Sequence, residues 1–193
     1  MCVYRELFPT SKCLFMYRDI MPAAKSFYRL SIVLPSIRLA MLLGYFSGHM
    51  TKALSDSMGF SGSDFCVRLD NDLTLGVLQC AVTTSSYLDL RRRGFHVSAV
   101  RYEDLVARPL DMCRVILEFC HLPVSLAEKA VKAFDVDSQK NSVVSKSLIG
   151  DFKEPRLTPQ TKLKLNELLK QYGMPLIDEP CIIEGTLSCL SWH

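Results

Sequence analysis

The stretch "KCLFMYRDIMPAAKSFYRL", residues 12–30, decides the predicted fold. Its segment "CLFMY" at 13–17 is a short continuous apolar run, which is typical of a strand covered on both faces in a parallel sheet. Pro22 suits the first turn of a helix, and the apolar residues after it supply a helical stripe. Arg18 is therefore predicted at the tip of a buried strand, with Ser26 eight positions later on a helix.

The composition predicts one globular domain that covers residues 1–193. The chain is 49% hydrophobic and 22% charged, which is enough for one sizeable core. Its net charge of +3 comes from 23 basic and 20 acidic residues spread along the sequence, which argues against a nucleic-acid surface. The basic cluster "RRRG" at 91–94 is typical of a solvated helix end, where cations face terminal carbonyl groups.

The cysteine and histidine patterns predict neither a disulfide framework nor a metal site. None of the eight cysteines forms a C-x-x-C pair, and several sit in apolar periodic segments, as buried small side chains do. The four histidines show no ligand spacing with the cysteines, so we expect no structural zinc.

The apolar segments near the N-terminus predict no membrane span. Residues 1–12 lack the apolar core of a signal peptide. The longest apolar stretch, 31–48, contains Pro35 and Arg38, which favours a core helix beginning near Pro35 over a membrane span. We therefore expect a cytoplasmic location, or the Golgi lumen if a targeting segment lies upstream.

The central part of the chain continues the alternation of strands and helices. Residues 51–71 are rich in Ser, Gly and Asp and predict a loop. From Asp72, apolar residues recur at three- and four-residue steps, which predicts a long helix ending at Gly94. Residues 95–101 then alternate as a strand does. This order predicts an α/β fold in which a parallel sheet is flanked by helices in three layers.

The C-terminal half is predicted to be mainly helical. One helix continues after Pro109. A second is predicted to open with a capping box formed by Ser125 and Glu128. A third has Thr158 as its N-cap and Gly173 as its terminator.

The predicted strand ends carry the residues best suited to binding. Ligands of an open parallel sheet lie at the carboxyl ends of its strands, where Arg18 and the pair Arg101-Tyr102 are predicted. A guanidinium can pair two phosphate oxygens at once, and Ser26 can add a hydroxyl donor. The residues alone leave another interpretation equally open, in which Arg18 pairs with a nearby carboxylate and Ser26 only lies on a helix face.

The stretch "CLFMYRDIMPAAKSFYRL" resembles a segment of the sulfotransferases. In that family an arginine, followed eight residues later by a serine, binds the 3′-phosphate of the sulfuryl donor 3′-phosphoadenosine 5′-phosphosulfate (PAPS), and the match falls on Arg18 and Ser26. The segment "RYEDLVARP" at 101–109 resembles the family's Y-E-D-L segment, which implies that Tyr102 lies near the adenine. For Asp104 we favour a structural role, the capping of the following helix.

A third segment, "SKSLIGDFK" at 145–153, resembles the family's R-K-G and G-D-W loop that closes over the 3′-phosphate. Lys146 falls on the lysine position, where its ammonium could contact phosphate as a point charge. Ser145 and Ser147 replace the arginine and glycine, and Phe152 replaces the tryptophan. A solvated loop cation is an equally good interpretation of Lys146.

Taken together, the resemblance covers residues 10–175 and implies a P-loop NTPase-like fold. It implies the metal-free transfer of a sulfuryl group from PAPS to a hydroxyl or amine of a small-molecule or carbohydrate acceptor. Members of the family hold the phosphosulfate in a Lys-Ser-Gly-Thr-type loop and often use a histidine base, both before the strand that corresponds to 13–17. Residues 1–12 contain neither, so the sequence predicts an N-terminally truncated domain with no identifiable catalytic residue.

Such a truncation would expose a sheet edge through which chains could self-associate. A catalytically inactive domain of the same fold that binds a nucleotide or a protein partner is therefore an alternative function. A nucleotide kinase of P-loop fold is a second alternative, which the lack of a phosphate loop disfavours.

Overall fold

The computed structural model describes residues 11–33, 72–135 and 156–189, and within them the chain is a mixed α/β protein. The described residues form two strands, six α-helices and two 3₁₀ turns. In chain order they are β1 (Cys13–Tyr17), α1 (Ile20–Val33), α2 (Asp72–Arg92), β2 (Val97–Arg101), α3 (Tyr102–Ala107), α4 (Pro109–Phe119), the 3₁₀ turn Val124–Leu126, α5 (Ala127–Val131), the 3₁₀ turn Lys132–Asp135 and α6 (Pro159–Gln171).

The two strands form a parallel pair, as the sequence predicts. Cys13 lies opposite Val97, and Tyr17 lies opposite Arg101. On its other side, β2 is bridged by a short parallel segment, because the Ala99 N–H donates to the Gly185 carbonyl at 2.8 Å and the Leu187 N–H donates to the Ala99 carbonyl at 2.8 Å. Strand β2 therefore lies between β1 and residues 185–187.

The chain divides into two compact units, and the sheet lies in the first, whose described residues are 11–18, 90–135 and 182–189. Helices α4 and α5 pack their apolar faces with β2 around the fully buried Met112. The prediction that β1 is covered on both faces is wrong for this structure. Leu14 and Met16 are 37% and 57% exposed, because a continuous apolar run fits a strand but does not determine how its faces are covered.

The second unit contains α1, most of α2, and α6 among its described residues 19–33, 72–89 and 156–181. Helices α1 and α2 approach closely at Gly76, where a Cβ atom would lie 2.8 Å from the Cα and carbonyl oxygen of Ala24. Only glycine allows that backbone contact. Side chains from both α2 and α6 are fully buried in this unit, among them Leu73, Val77 and Leu165.

Local chemistry at the helix ends follows the sequence in most places. Thr158 caps α6, since its Oγ1 accepts the Thr161 N–H at 3.1 Å. Gly94 and Gly173 end α2 and α6 with positive φ angles of 79° and 65°.

The predicted capping box of Ser125 and Glu128 does not form. Ser125 lies inside the 3₁₀ turn Val124–Leu126, whereas a capping side chain must belong to the non-helical residue before the first turn. No side-chain cap hydrogen bond is present at the start of α5.

Several predictions lie outside the described residues: the helix beginning near Pro35, the loop at 51–71 and the segment that contains Lys146. Across the described ranges, no helix has both the length and the apolar character needed to cross a membrane.

Candidate functional site at the carboxyl edge of the sheet

The register of the sheet brings two predicted site residues together. Tyr17 and Arg101 are paired in the last position of β1 and β2, so Arg18 and Tyr102 follow side by side at the carboxyl edge. The guanidinium carbon of Arg18 lies 4.4 Å from the centroid of the Tyr102 ring, within cation–π range. Both side chains are partly exposed, and Tyr102 is exposed by 36%.

One edge of the Arg18 guanidinium is anchored and the other is open. Its Nε donates to Oε1 of Glu103 at 3.5 Å, and the two side chains are 36% and 25% exposed. Neither terminal nitrogen of Arg18 has a hydrogen-bond or ion-pair partner within the part of the chain that the structure describes. Arg18 therefore forms the carboxylate pair that sequence reasoning left open, and it keeps the paired Nη groups that a phosphate would use.

Glu103 links Arg18 to a second arginine. Arg101 is only 15% exposed and lies with its Nε 3.9 Å from Glu103 Oε2 and its Nη1 3.3 Å from Asp104 Oδ1. Two guanidinium groups and two carboxylates thus alternate along this edge. Counted over the described residues, the cluster is formally neutral, so an incoming phosphate competes with carboxylates for the arginines.

The structural role that sequence analysis favoured for Asp104 is corrected by this geometry. Helix α3 begins at Tyr102 with Arg101 as its N-cap, and it has no side-chain cap hydrogen bond. Asp104 lies within the first turn, where a negative charge is favourable to the helix dipole, and its carboxylate accepts a hydrogen bond from Arg101.

The described geometry does not test the other two predicted contacts. Ser26 lies in α1, in the second compact unit, with an exposed side chain. Lys146 lies outside the described residues. Their roles stay predictions.

Sequence reasoning missed Glu103 as the residue that orients Arg18. The available signal was its position, because an acidic residue directly after Tyr102 falls in the first turn of the helix that follows β2. It also missed Asp19, whose Oδ1 accepts the backbone N–H of Cys181 at 2.9 Å. Asp19 and Cys181 are 162 residues apart in the chain, and no local sequence pattern predicts a contact between them.

Neither His96 nor His121 lies at this edge. His96 directly precedes β2 and therefore lies at its amino end, and His121 follows α4. No group of three or more His, Cys, Asp or Glu side chains suited to a metal ion occurs among residues 11–33, 72–135 and 156–189. Comparison with protein-family models, curated proteins and solved structures found no match for the chain.

Proposed function

We propose that this chain is a sulfotransferase-type domain that binds PAPS and transfers its sulfuryl group to a hydroxyl or amine acceptor. In this proposal Arg18 and Ser26 hold the 3′-phosphate, Tyr102 lies against the adenine, and Lys146 closes over the phosphate. The fold proposed with it is a three-layer, P-loop-like α/β sheet. The sequence resemblance of residues 12–30 and 101–109 is the origin of the proposal.

The observation that carries the proposal is the state of Arg18. Its terminal nitrogens are open among the described residues, its Nε is held by Glu103, and its plane rests on an aromatic ring at the carboxyl edge of the sheet. A guanidinium fixed in this way loses little side-chain freedom when it binds, and its two Nη groups match two phosphate oxygens. Tyr102 adds an exposed aromatic surface beside it, against which a purine could stack.

The carboxylate partner does not prevent phosphate binding. An ion pair between partly exposed side chains is worth about 0.2–1 kcal/mol. Charge-assisted hydrogen bonds to phosphate are worth about 1.5–3 kcal/mol each. A 3′-phosphate can therefore pair with the open edge of Arg18 while Glu103 keeps the Nε edge, or it can displace Glu103 at small cost.

Isothermal titration of the full chain with adenosine 3′,5′-bisphosphate tests the binding step. We expect saturable binding that weakens by about tenfold or more in Arg18→Ala, the loss expected for hydrogen bonds to a charged group. Arg114→Ala is the matched control, because Arg114 is an exposed arginine that pairs with Asp111 on the surface of α4. A folded chain that does not bind the nucleotide, or equal losses in the two variants, would exclude the proposed site.

A partner-binding domain of the same fold is a second candidate, favoured by one observation. Two apolar side chains of β1, Leu14 and Met16, are exposed. Exposed apolar side chains on a strand can pack against another protein surface. Sedimentation of the full chain separates the candidates, since this second function predicts self-association that is independent of nucleotide.

A further inference from the structure

A cavity of about 700 Å³ opens at the amino edge of the sheet, at the other end of the strands from Arg18. Strands rise about 3.3 Å per residue, so β1 separates the two places by roughly 17 Å. The wall is formed by residues just before β1, at the start of β2, at the end of α2 and just after α4. They are Ser11, Lys12, Arg91, His96, Val97, Ser98, Phe119, Cys120 and His121.

The lining of this cavity is basic. Lys12, Arg91, His96 and His121 contribute cationic or imidazole groups, and no carboxylate is among the described residues that line it. Its one arginine, Arg91, pairs with a carboxylate outside the lining, whereas Lys12, His96 and His121 supply the other basic groups. It brings together two histidines and one arginine of the "RRRG" cluster, none of which has a part in the proposed sulfuryl transfer.

Arg91 is built into the wall and does not extend into solvent as the sequence predicts. Its Nη1 donates to the Val97 carbonyl at 2.7 Å and its Nη2 pairs with Glu184 at 3.2 Å, which leaves the side chain 25% exposed. Its Nε is buried and has no hydrogen-bond partner among the described residues. Glu184 is 73% exposed, so solvent screens its charge. Arg92 and Arg93 are exposed, as predicted.

His121 lines the cavity in a backbone conformation that residues other than glycine rarely adopt. It is the one described residue other than glycine with a positive φ, 58°, and it stands just after the last turn of α4. The Leu122 N–H donates to the Leu117 carbonyl at 2.8 Å, which is the helix-ending turn in which glycine is usual. A non-glycine residue held in this conformation is a reason to look for a function of its side chain.

The lysine of the cavity is positioned by an aromatic ring. The Lys12 ammonium lies 5.5 Å from the centroid of Phe119, within cation–π range. Phe119 is partly buried at the end of α4 and gives the cavity one apolar wall. The lining thus combines cationic and hydroxyl donors with a flat apolar surface.

We propose that this cavity binds a small molecule carrying a phosphate or sulfate monoester, with its oxyanion held by Lys12, His96 and His121 and its apolar part against Phe119. Imidazoles donate at least one N–H in either protonation state, and Ser98 adds a hydroxyl donor. Several charge-assisted donors around one tetrahedral group form a binding site that a single surface cation cannot provide. The site is independent of the proposed PAPS site.

The test is a titration of the full chain with phenyl phosphate, followed by the imidazole proton NMR signals. His96→Gln and His121→Gln assign the two signals. We expect both to shift with one saturable curve, and Lys12→Gln to weaken binding by about tenfold or more. Lys129→Gln is the matched control, since Lys129 is an exposed lysine on α5 that does not line the cavity, and its affinity should stay unchanged.

His121→Gly separates ligand binding from folding. Glycine adopts the positive φ without strain, so this variant should be as stable as the natural chain, or more stable, while it binds phenyl phosphate more weakly. Shifts that rise linearly, that sodium chloride reproduces at equal ionic strength, or that both Lys12→Gln and His121→Gly leave unchanged would overturn the proposal. Phenyl sulfate in a parallel titration distinguishes a site for any oxyanion from one that prefers the phosphate dianion.

Discussion

At the scale of single residues, the Arg18 guanidinium forms an ion pair with Glu103 and still has terminal nitrogens that can bind a ligand. The Nε edge of the arginine faces the carboxylate at 3.5 Å, and the ring of Tyr102 supports its plane. Because both side chains are partly exposed, this pair adds little to folding stability. The main effect of the ion pair is to limit the orientations of the guanidinium before a ligand binds.

The positions of Arg18 and Tyr102 were predictable from the sequence, whereas their partners were not. Residues that follow parallel strands meet at one edge of the sheet, so a correct pair of strands fixes where the two side chains begin. Side-chain pairing depends on distances of a few tenths of an ångström, which no sequence pattern encodes. For this reason the sequence alone leaves both interpretations of Arg18 open.

The buried thiol of Cys113 predicts a loss of stability in alkaline solution. Burial raises the pKa of Cys113 above its ordinary value of 9.0, because the core around Met112 disfavours the thiolate. The unfolded chain therefore loses this proton at a lower pH than the folded chain does. The contribution to stability is fully present below pH 9.0 and is lost as the pH rises through the folded-state pKa.

Urea unfolding of the natural chain and of Cys113→Ala at pH 8 and pH 10 checks this expectation. The variant should be less stable at both pH values, because it leaves a cavity in the core. Its further loss between the two pH values should be smaller than that of the natural chain, since it has no thiol to ionise at this position. Equal losses would contradict the prediction.

At the scale of elements, a buried tyrosine holds residues 182–189 beside the sheet. The Thr186 hydroxyl donates its only proton to the Ile183 carbonyl at 2.6 Å, so in the bond of 2.8 Å between Tyr17 and Thr186 the tyrosine O–H must be the donor. The Ile183 N–H also approaches the Tyr17 oxygen, at 3.5 Å. Tyr17 thus connects the end of β1 to the segment that bridges β2.

A double-mutant cycle on Tyr17 and Thr186 measures this connection. Tyr17→Phe removes the donor from a side chain that is 5% exposed, and we expect a loss of about 0.5–1.5 kcal/mol in the free energy of unfolding. Thr186→Val should cost a similar amount or more, because it also removes the hydroxyl hydrogen bond to the Ile183 carbonyl, which then accepts only the Thr186 N–H at 3.2 Å. The combined variant should lose less than the sum, and strict additivity would show that the hydrogen bond contributes nothing.

The ends of two helices were predictable from local chemistry, whereas the bridge between β2 and residues 185–187 was not. The ends of α2 and α6 follow from Gly94, Thr158 and Gly173, whose preferences act within one turn. The bridge at residues 185–187 depends on Tyr17, which lies 169 residues from Thr186 in the chain. No local sequence pattern predicts such a bridge.

At the scale of the whole molecule, the net charge is small, but the local charge differs between the two edges of the sheet. A net charge of +3 on 193 residues gives a weak general attraction for anions. The carboxyl edge is nearly balanced, with Arg18 and Arg101 opposite Glu103 and Asp104. The amino edge has a basic cavity whose described lining has no carboxylate. We therefore expect the carboxyl edge and the amino-edge cavity to bind different anions.

Heat unfolding of the full chain with two different anions tests this separation. A ligand at 100 times its Kd stabilises the folded state by about 2.7 kcal/mol, so each should raise the Tm measurably. Arg18→Ala should reduce the rise caused by adenosine 3′,5′-bisphosphate and leave that caused by phenyl phosphate. Lys12→Gln should have the opposite pattern. If either substitution reduced both rises equally, binding would reflect net charge alone, and neither edge of the sheet would be a site.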